Sequence, residues 1–540
     1  MEAGIVQCDI RAADPFANST NPARVRCTGV GNNLIHVAVG RAVRDRVALV
    51  LTSLTAAFHL AVANRYDVLR DELYFIVCGR QPAFGYADQP PLVPLLAAGA
   101  YALDGQTWIV RLPAVLAAAA LVWLVVAFVR LLGGRDSAAW IAGSAAGFAP
   151  MLMGITATLN TTTFEPLAWT GVAYGLTRAV LVDDRRALMW AGVVAGFAME
   201  AKYTLPLWLI SLALGLAVFP ERRVFRSREL YLGLGVACVI AAPSIWWQAT
   251  HGFPFIELLR NADRKNLTVT PVAFALNQIL VFDVLFAPVW LGGLIAPFVM
   301  RDLRGTRFLS IAFALSALAI VAGHGKDYYL AAAYPPLLAI GAVAVERTVR
   351  NARRLVRYFA SAVAVALVSA PLVLPILPPE SLIAYQRAIH VRAPQREKAD
   401  LGDALPQVFA DMLGWRDFVG EVGVAYKSLP PGERGRTSIL VDNYGEAAAL
   451  DVYGTAYGLP PALSGHNQYF FWGLRGQDPE NVLRVQSNPE RLRPYCAQMR
   501  ELGTTQSRYA RGLENGKTIA FCRGMHPSLA KLWPSLKVFI

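Results

Sequence analysis

Residues 67–92, DVLRDELYFIVCGRQPAFGYADQPPL, set four carboxylates (Asp67, Asp71, Glu72 and Asp88) between two apolar blocks at 46–64 and 108–129. A carboxylate is costly in a low-dielectric medium and cheap in water. The stretch is therefore a wet connection between membrane segments, a site of chemistry, or both. The rest of the chain bears on that choice.

Apolar residues make up 55% of the 540 and charged residues only 16%, with a mean hydropathy of +0.39. A soluble chain carries about a quarter charged residues, and here the apolar excess sits in long blocks. That pattern predicts a polytopic membrane protein. The net charge of +13 is concentrated in short arginine clusters between the blocks, such as Arg41/Arg44/Arg46, Arg130/Arg135, Arg222/Arg223/Arg226/Arg228 and Arg347/Arg350/Arg353/Arg354/Arg357. Such placement reads as cytoplasmic anchoring and not as a nucleic-acid face. No cleavable leader pattern precedes the first block, so residues 1–40 read as a flexible cytoplasmic tail and the first block as an uncleaved signal-anchor.

Apolar runs predict about eleven transmembrane helices, at 46–64, 108–129, 137–158, 164–181, 187–201, 203–219, 229–247, 273–299, 308–323, 329–345 and 358–376. With the N-terminus inside, every arginine cluster falls on the cytoplasmic side. The other side receives the loop 65–107, the short connections at 159–163, 200–202, 248–272 and 324–328, and everything beyond 377. The expected organisation is thus an all-α membrane domain over 41–377 and an extracytoplasmic α/β domain over 378–540. Within the loop, 90–107 reads as a surface-lying helix. In the outer domain, TSILVDN and IAFCRG read as buried strands, and Cys496 and Cys522 are candidates for a disulfide in an oxidising compartment. No Cys/His set has zinc spacing.

Further motifs follow in order: RLPAVLAA at 111–118, NTTTFEPLAW at 160–169, AKYTLPLW at 201–208, WWQATHGFPFIELL at 246–259, GHGKDYYLAAAYPP at 323–336, and NYGEAAALDVYG and LSGHNQYFFWG near the C-terminus. Together with the opening stretch, they resemble the bacterial dolichyl-phosphate-mannose-protein mannosyltransferase-like glycosyltransferases. These are membrane enzymes of GT-C type, related to the aminoarabinose transferases of lipid A. The resemblance implies a polyprenyl-phosphate sugar as donor and an inverting transfer, outside the cytoplasmic membrane, to an envelope lipid, glycan or protein acceptor. It aligns the family's first-loop acid with Asp71, as general base, and its partner with Glu72. The lipid phosphate is already a competent leaving group, so charge on the departing phosphate is what needs stabilising. Lys202, His251, His324 and Lys326 are the candidate phosphate or sugar contacts, with Tyr203, Tyr328 and Tyr329 as donors and Arg65 and Arg111 near the same level. Asp88, Gln89 and Glu165 are candidate acceptor or supporting residues. A salt bridge to Lys202 is the plainer reading of Glu165. No cofactor is fixed by the sequence; Asp71 and Glu165 could share a divalent ion, or lysines and histidines could take its place.

A transporter would put polar residues at mid-membrane and often show an inverted repeat; the polar residues here gather on one side. A lipid-linked-glycan binding protein would keep the lipid site without needing Asp71.

Overall fold

A computed structural model describes residues 45–391, 397–398 and 403–540; the tail expected over 1–40 lies outside the described residues. Among the described residues five helices are long and apolar enough to cross a membrane: Thr107–Leu131, Arg228–Thr250, Arg301–Ala322, Asp327–Thr348 and Arg353–Leu372. A sixth results if the bent pair Leu205–Ala217 and Pro220–Arg226 is taken as one span. This corrects the expectation of about eleven. The expected span 137–158 breaks at Ala149, which precedes Pro150 and takes an extended ψ of 129°, as residues before proline do. The expected span 273–299 is two helices, Pro271–Leu280 and Ala287–Val299, separated by a turn in which Asp283 has φ 112°. The first apolar block is a helix of 17 residues, Arg46–Val62, about 26 Å at ~1.5 Å per residue, against a hydrocarbon core of ~30 Å.

The helices pack through small residues and leave apolar side chains bare outside. A Cβ on Gly341 would fall 1.8 Å from the carbonyl oxygen of Val289, so the contact between Tyr334–Thr348 and Ala287–Val299 requires glycine. On Arg228–Thr250, Val239 is 74% and Trp246 69% exposed, a surface that lipid rather than water would cover.

The Thr107–Leu131 helix sets the two ends of the bundle. In its last turn, Arg130 pairs with Asp45 at 2.7 Å and Asp136 at 2.6 Å. Near that end Arg347 donates to the Leu132 carbonyl at 2.9 Å and pairs with Asp302 at 3.6 Å. The arginine-bearing connections gather there. About 29 Å away at ~1.5 Å per residue, near the other end of the same helix, Arg111 meets the loop that opened the sequence.

That loop forms the helix Arg70–Arg80 and, after its prolines, the helix Leu92–Asp104. Leu73 and Ile76 share one buried core with Val419, Ala447 and Leu450 of the C-terminal region. This region holds a five-stranded mixed sheet, ordered β2-β1-β3-β5-β4, with β1 Thr437–Val441, β2 Leu463–Ser464, β3 Asn481–Gln486, β4 Cys496–Thr504 and β5 Thr518–Met525. β1 runs parallel to β2 and β3, and β5 antiparallel to β3 and β4. All five β1 residues are buried: Ile439, Leu440 and Val441 are apolar, while the Thr437 and Ser438 hydroxyls are satisfied by Glu433 O and Gln477 Oε1. The Cys496–Cys522 disulfide, with Cα atoms 5.2 Å apart, ties the start of β4 to β5.

Candidate functional site

Glu72 and Asp71 are neighbours in sequence and opposite in circumstance. Glu72 is fully buried, and both of its oxygens are saturated. Oε1 accepts from Arg111 Nε at 3.1 Å and Leu159 N at 2.9 Å; Oε2 accepts from Arg111 Nη2 at 3.1 Å and Leu69 N at 2.8 Å. Arg111, also fully buried, donates further to the carbonyls of Ala63 and Asp67 at 2.7 and 2.9 Å. The pair ties the start of the Arg70–Arg80 helix to the long helix and to the 159 connection. Both oxygens of Glu72 are thus committed to holding the loop, and Arg111 is buried with it.

Asp71 keeps 40% of its side chain exposed. Tyr444 donates to its Oδ1 at 2.8 Å, and Arg70 Nε lies 3.7 Å from the same oxygen. Oδ2 takes no hydrogen bond among the described residues. The motif NYGEAAAL explains how Tyr444 arrives. Asn443 caps the helix Tyr444–Tyr453, its Oδ1 accepting from the amides of Gly445 at 2.9 Å and Glu446 at 3.1 Å. A Cβ on Gly445 would lie 2.3 Å from Arg70 Cγ, so glycine makes room for the arginine that crosses the Tyr444 ring at 5.3 Å. Glu446 itself turns inward to Lys517 and Asn443. His466 lies beside Tyr444, 5.0 Å between centroids; burial lowers its pKa to about 3, so it is neutral at ordinary pH.

Arg70 also starts a chain of charges. It lies 3.6 Å from Asp411, which lies 3.7 Å from Arg511. Arg511 donates to Glu397 Oε2 at 2.8 Å, while Lys326 and Lys265 approach Oε1 at 3.1 and 3.2 Å. Burial would raise the Glu397 carboxyl, but Lys265, Lys326, Arg70 and Arg511 hold it well below the usual carboxylate range. Burial pulls the Lys265 ammonium down against the attraction of Glu397, and burial pushes Asp411 up to about 6 against both arginines. Three cations, Lys265, Lys326 and Arg511, thus converge on the one carboxylate of Glu397, and the field there favours an anion.

Asp88 forms a second group. Tyr74 donates to Oδ1 and Asn467 Nδ2 to Oδ2, each at 2.9 Å. Gln468 reinforces the contact, accepting from Ala87 N at 3.0 Å and donating its own amide to the Tyr74 hydroxyl at 3.1 Å. Gln89 is buried, its Nε2 against Cys78 Sγ at 3.9 Å and its carbonyl accepting from Tyr86 N at 2.9 Å; it shapes the turn. Burial pushes Asp88 up to about 6 against its hydrogen bonds to Tyr74 and Asn467. A folded-state pKa above the unfolded one means that the stability Asp88 contributes is full below the unfolded value and lost as pH rises through about 6. Asp88→Asn is therefore expected to flatten the fall in melting temperature between about pH 4 and 6. Melts of the native protein and the variant at both pH values test this, and equal slopes would refute it.

The remaining expected residues divide. Glu165 is committed to Lys202, whose Nζ lies 2.7 Å away, and to the Thr204 hydroxyl. Lys202 also donates to Thr162 at 2.9 Å and sits 4.9 Å from the Tyr329 ring, so this is the salt-bridge reading of Glu165. Tyr328 packs edge-on against Tyr329 at 4.9 Å. The Tyr203 hydroxyl is buried without a partner among the described residues. His251 is exposed, stacked on Trp247 at 3.9 Å and edge-on to Phe471. His324, at φ 52°, and Arg65 are exposed and make no side-chain hydrogen bond among the described residues. Neither they nor His251 join the Asp71 cluster. A shared ion between Asp71 and Glu165 does not fit: each has its own partner, and among the described residues no group of three or more His, Cys, Asp or Glu is arranged to hold a metal.

Sequence reading did not single out Arg70, Lys265, Glu397 and Arg511. Arg70 carried a signal, since it precedes the Asp-Glu pair directly. Glu397 and Arg511 carried none, because their meeting depends on the tertiary fold.

Residues 88–247, 160 of the chain's 540, match the family described as dolichyl-phosphate-mannose-protein mannosyltransferase. Among solved structures the chain is similar to ArnT from Cupriavidus metallidurans bound to undecaprenyl phosphate. The TM-score is 0.54 at 14% identity, covering 91% of this chain and 98% of that one. The apo state of the same protein gives 0.55 at 15% identity, covering 93% and 98%. An oligosaccharyltransferase from Archaeoglobus fulgidus follows at 0.45 and 14% identity, covering 77% and 64%. No curated protein matches the chain significantly. At these identities the likeness to ArnT shows a shared fold over nearly the whole length of both chains.

Proposed function

We propose that this chain is a membrane glycosyltransferase of GT-C type. It moves a sugar from a polyprenyl-phosphate donor to an envelope acceptor on the outer face of the cytoplasmic membrane, with inversion. The observation that carries the reading is the pairing of a half-exposed carboxylate, Asp71, with the cation-rich cluster reached through Arg70. The fold shared with a protein solved with undecaprenyl phosphate supports it, as does the family match over 88–247.

In this reading an acceptor hydroxyl gives its proton to Asp71 Oδ2 as its oxygen bonds to the anomeric carbon. The bond from that carbon to the phosphate oxygen breaks on the opposite side, and the polyprenyl phosphate leaves with the electron pair. Tyr444 holds Oδ1 and so aims Oδ2. Charge gathering on the phosphate is met by Lys326, Lys265 and Arg511, which lie around Glu397. Preorganised cations of this kind act most strongly where water is excluded. The phosphate would compete with the Glu397 carboxylate for these partners.

Purified protein in lipid, supplied with a panel of polyprenyl-phosphate sugars and envelope extract, tests the proposal. Consumption of one donor, with a product of inverted anomeric configuration, is expected. If no donor is consumed with complete extract, the reading fails and a binding or transport role takes its place.

A further inference from the structure

A cavity of ≈ 600 Å³ lies in the C-terminal region. It is lined where the parallel strands end: Val441 closing β1 and Asp442 after it, Gly465 after β2, Gln486 closing β3 and Ser487 after it. From β1 the chain passes to β2 on one side, whereas β3 lies on the other side and leads on to β4 and β5. Open α/β sheets take ligands at such a reversal, outside the carboxyl ends of the strands.

The polar wall is incomplete in a way that describes the missing occupant. Arg484 is satisfied: it lies 2.5 Å from Asp442 and donates to Gln486 Oε1 at 3.1 Å. That second bond fixes the Gln486 amide and leaves its Nε2 buried, without a partner among the described residues. Arg491, on the rim, is exposed and has no carboxylate partner among the described residues. Both groups are donors, one of them charged, so the complementary ligand carries acceptor oxygens and a negative charge. The opposite wall is apolar, built of Leu529, Leu532 and Leu536, with the exposed Tyr495 ring beside it. A pyranose presents the matching pair of surfaces, a C–H face and a rim of oxygens.

The position assigns the role. Beyond β1, Asp442 is followed by Asn443 and then Tyr444, which holds Asp71. Beyond β2, Gly465 is followed by His466 and then Asn467, which holds Asp88. The strand ends that build the cavity therefore continue directly into the residues fastened on the two carboxylates. We infer that this cavity is the acceptor site of the proposed transferase, and that its ligand is a saccharide bearing an acidic group. The inference rests on the transferase reading for the word acceptor and on the cavity alone for the ligand.

The test uses the full chain in nanodiscs, without donor, titrated calorimetrically with trigalacturonate, a phosphorylated maltotriose and plain maltotriose. Saturable binding of at least one acidic probe, about tenfold tighter than of the neutral one, is expected; which acidic probe binds names the carboxylate or the phosphate. Arg491→Ala should erase the preference, and Ser487→Trp, at an exposed position, should block binding of all three. Absence of saturable binding, or a preference that survives both substitutions, overturns the inference. Donor consumption in the same preparation separates the two failures. Consumption without acidic-sugar binding removes only the acceptor site; binding without consumption keeps the ligand assignment and removes the transferase.

Discussion

Asp71→Asn is expected to lower sugar transfer by about 10²–10⁴-fold, the range spanned by loss of a positioned general base, with the fold intact. The substitution keeps the shape, and an amide oxygen still accepts from Tyr444, now at 2.8 Å from Asp71 Oδ1. What changes is the second position, where an acceptor becomes an N–H donor that cannot take the hydroxyl proton. Arg70 loses one of its two carboxylate neighbours and keeps Asp411 at 3.6 Å, so the variant does not strand a buried cation. Initial rates at saturating donor, together with a melt, check the result. A large fall in rate with an unchanged melt is the expected outcome. Undiminished transfer would remove Asp71 as base and direct attention to Asp88, which with Asp67 and Asp71 is partly exposed in the loop.

The parts of this arrangement legible in the sequence are those fixed by local chemistry. A carboxylate-rich stretch between apolar blocks marks a wet connection, and Asp71 and Asp88 do lie where the loop meets the C-terminal region. TSILV, with its apolar Ile439, Leu440 and Val441, forms the buried strand β1. The number of spans was not legible, because hydropathy registers apolar length and is blind to where the backbone turns. Ala149 before Pro150 and Asp283 at positive φ end helices inside continuous apolar runs. The division of labour between Asp71 and Glu72 was hidden for a different reason. One is half-exposed and the other saturated because of Arg111, Leu159 and Tyr444, the last of them more than three hundred residues away. Helical phase alone separates two adjacent residues by ~100°, enough to send them to different surroundings and not enough to say which goes where.

The Glu72–Arg111 tie yields the largest expected effect on stability. Arg111→Ala is expected to cost roughly 3–5 kcal/mol, the penalty for leaving a buried charge without its partner. Glu72 would keep the amides of Leu69 and Leu159 and lose both guanidinium contacts. The carbonyls of Ala63 and Asp67 would lose their donor as well, with no water in reach of a pair that is fully buried. Exposed ion pairs in the same molecule set the contrast: breaking Arg493–Glu490, both about 60% exposed, should leave the melt nearly unchanged. The consequence extends to the chemistry, since Glu72 anchors the first turn of the helix that also carries Asp71. Thermal melts of Arg111→Ala and Arg493→Ala beside the native protein decide the matter. If the two variants melt alike, the buried pair is no tie, and the placement of Asp71 must depend on its contacts with the C-terminal region alone.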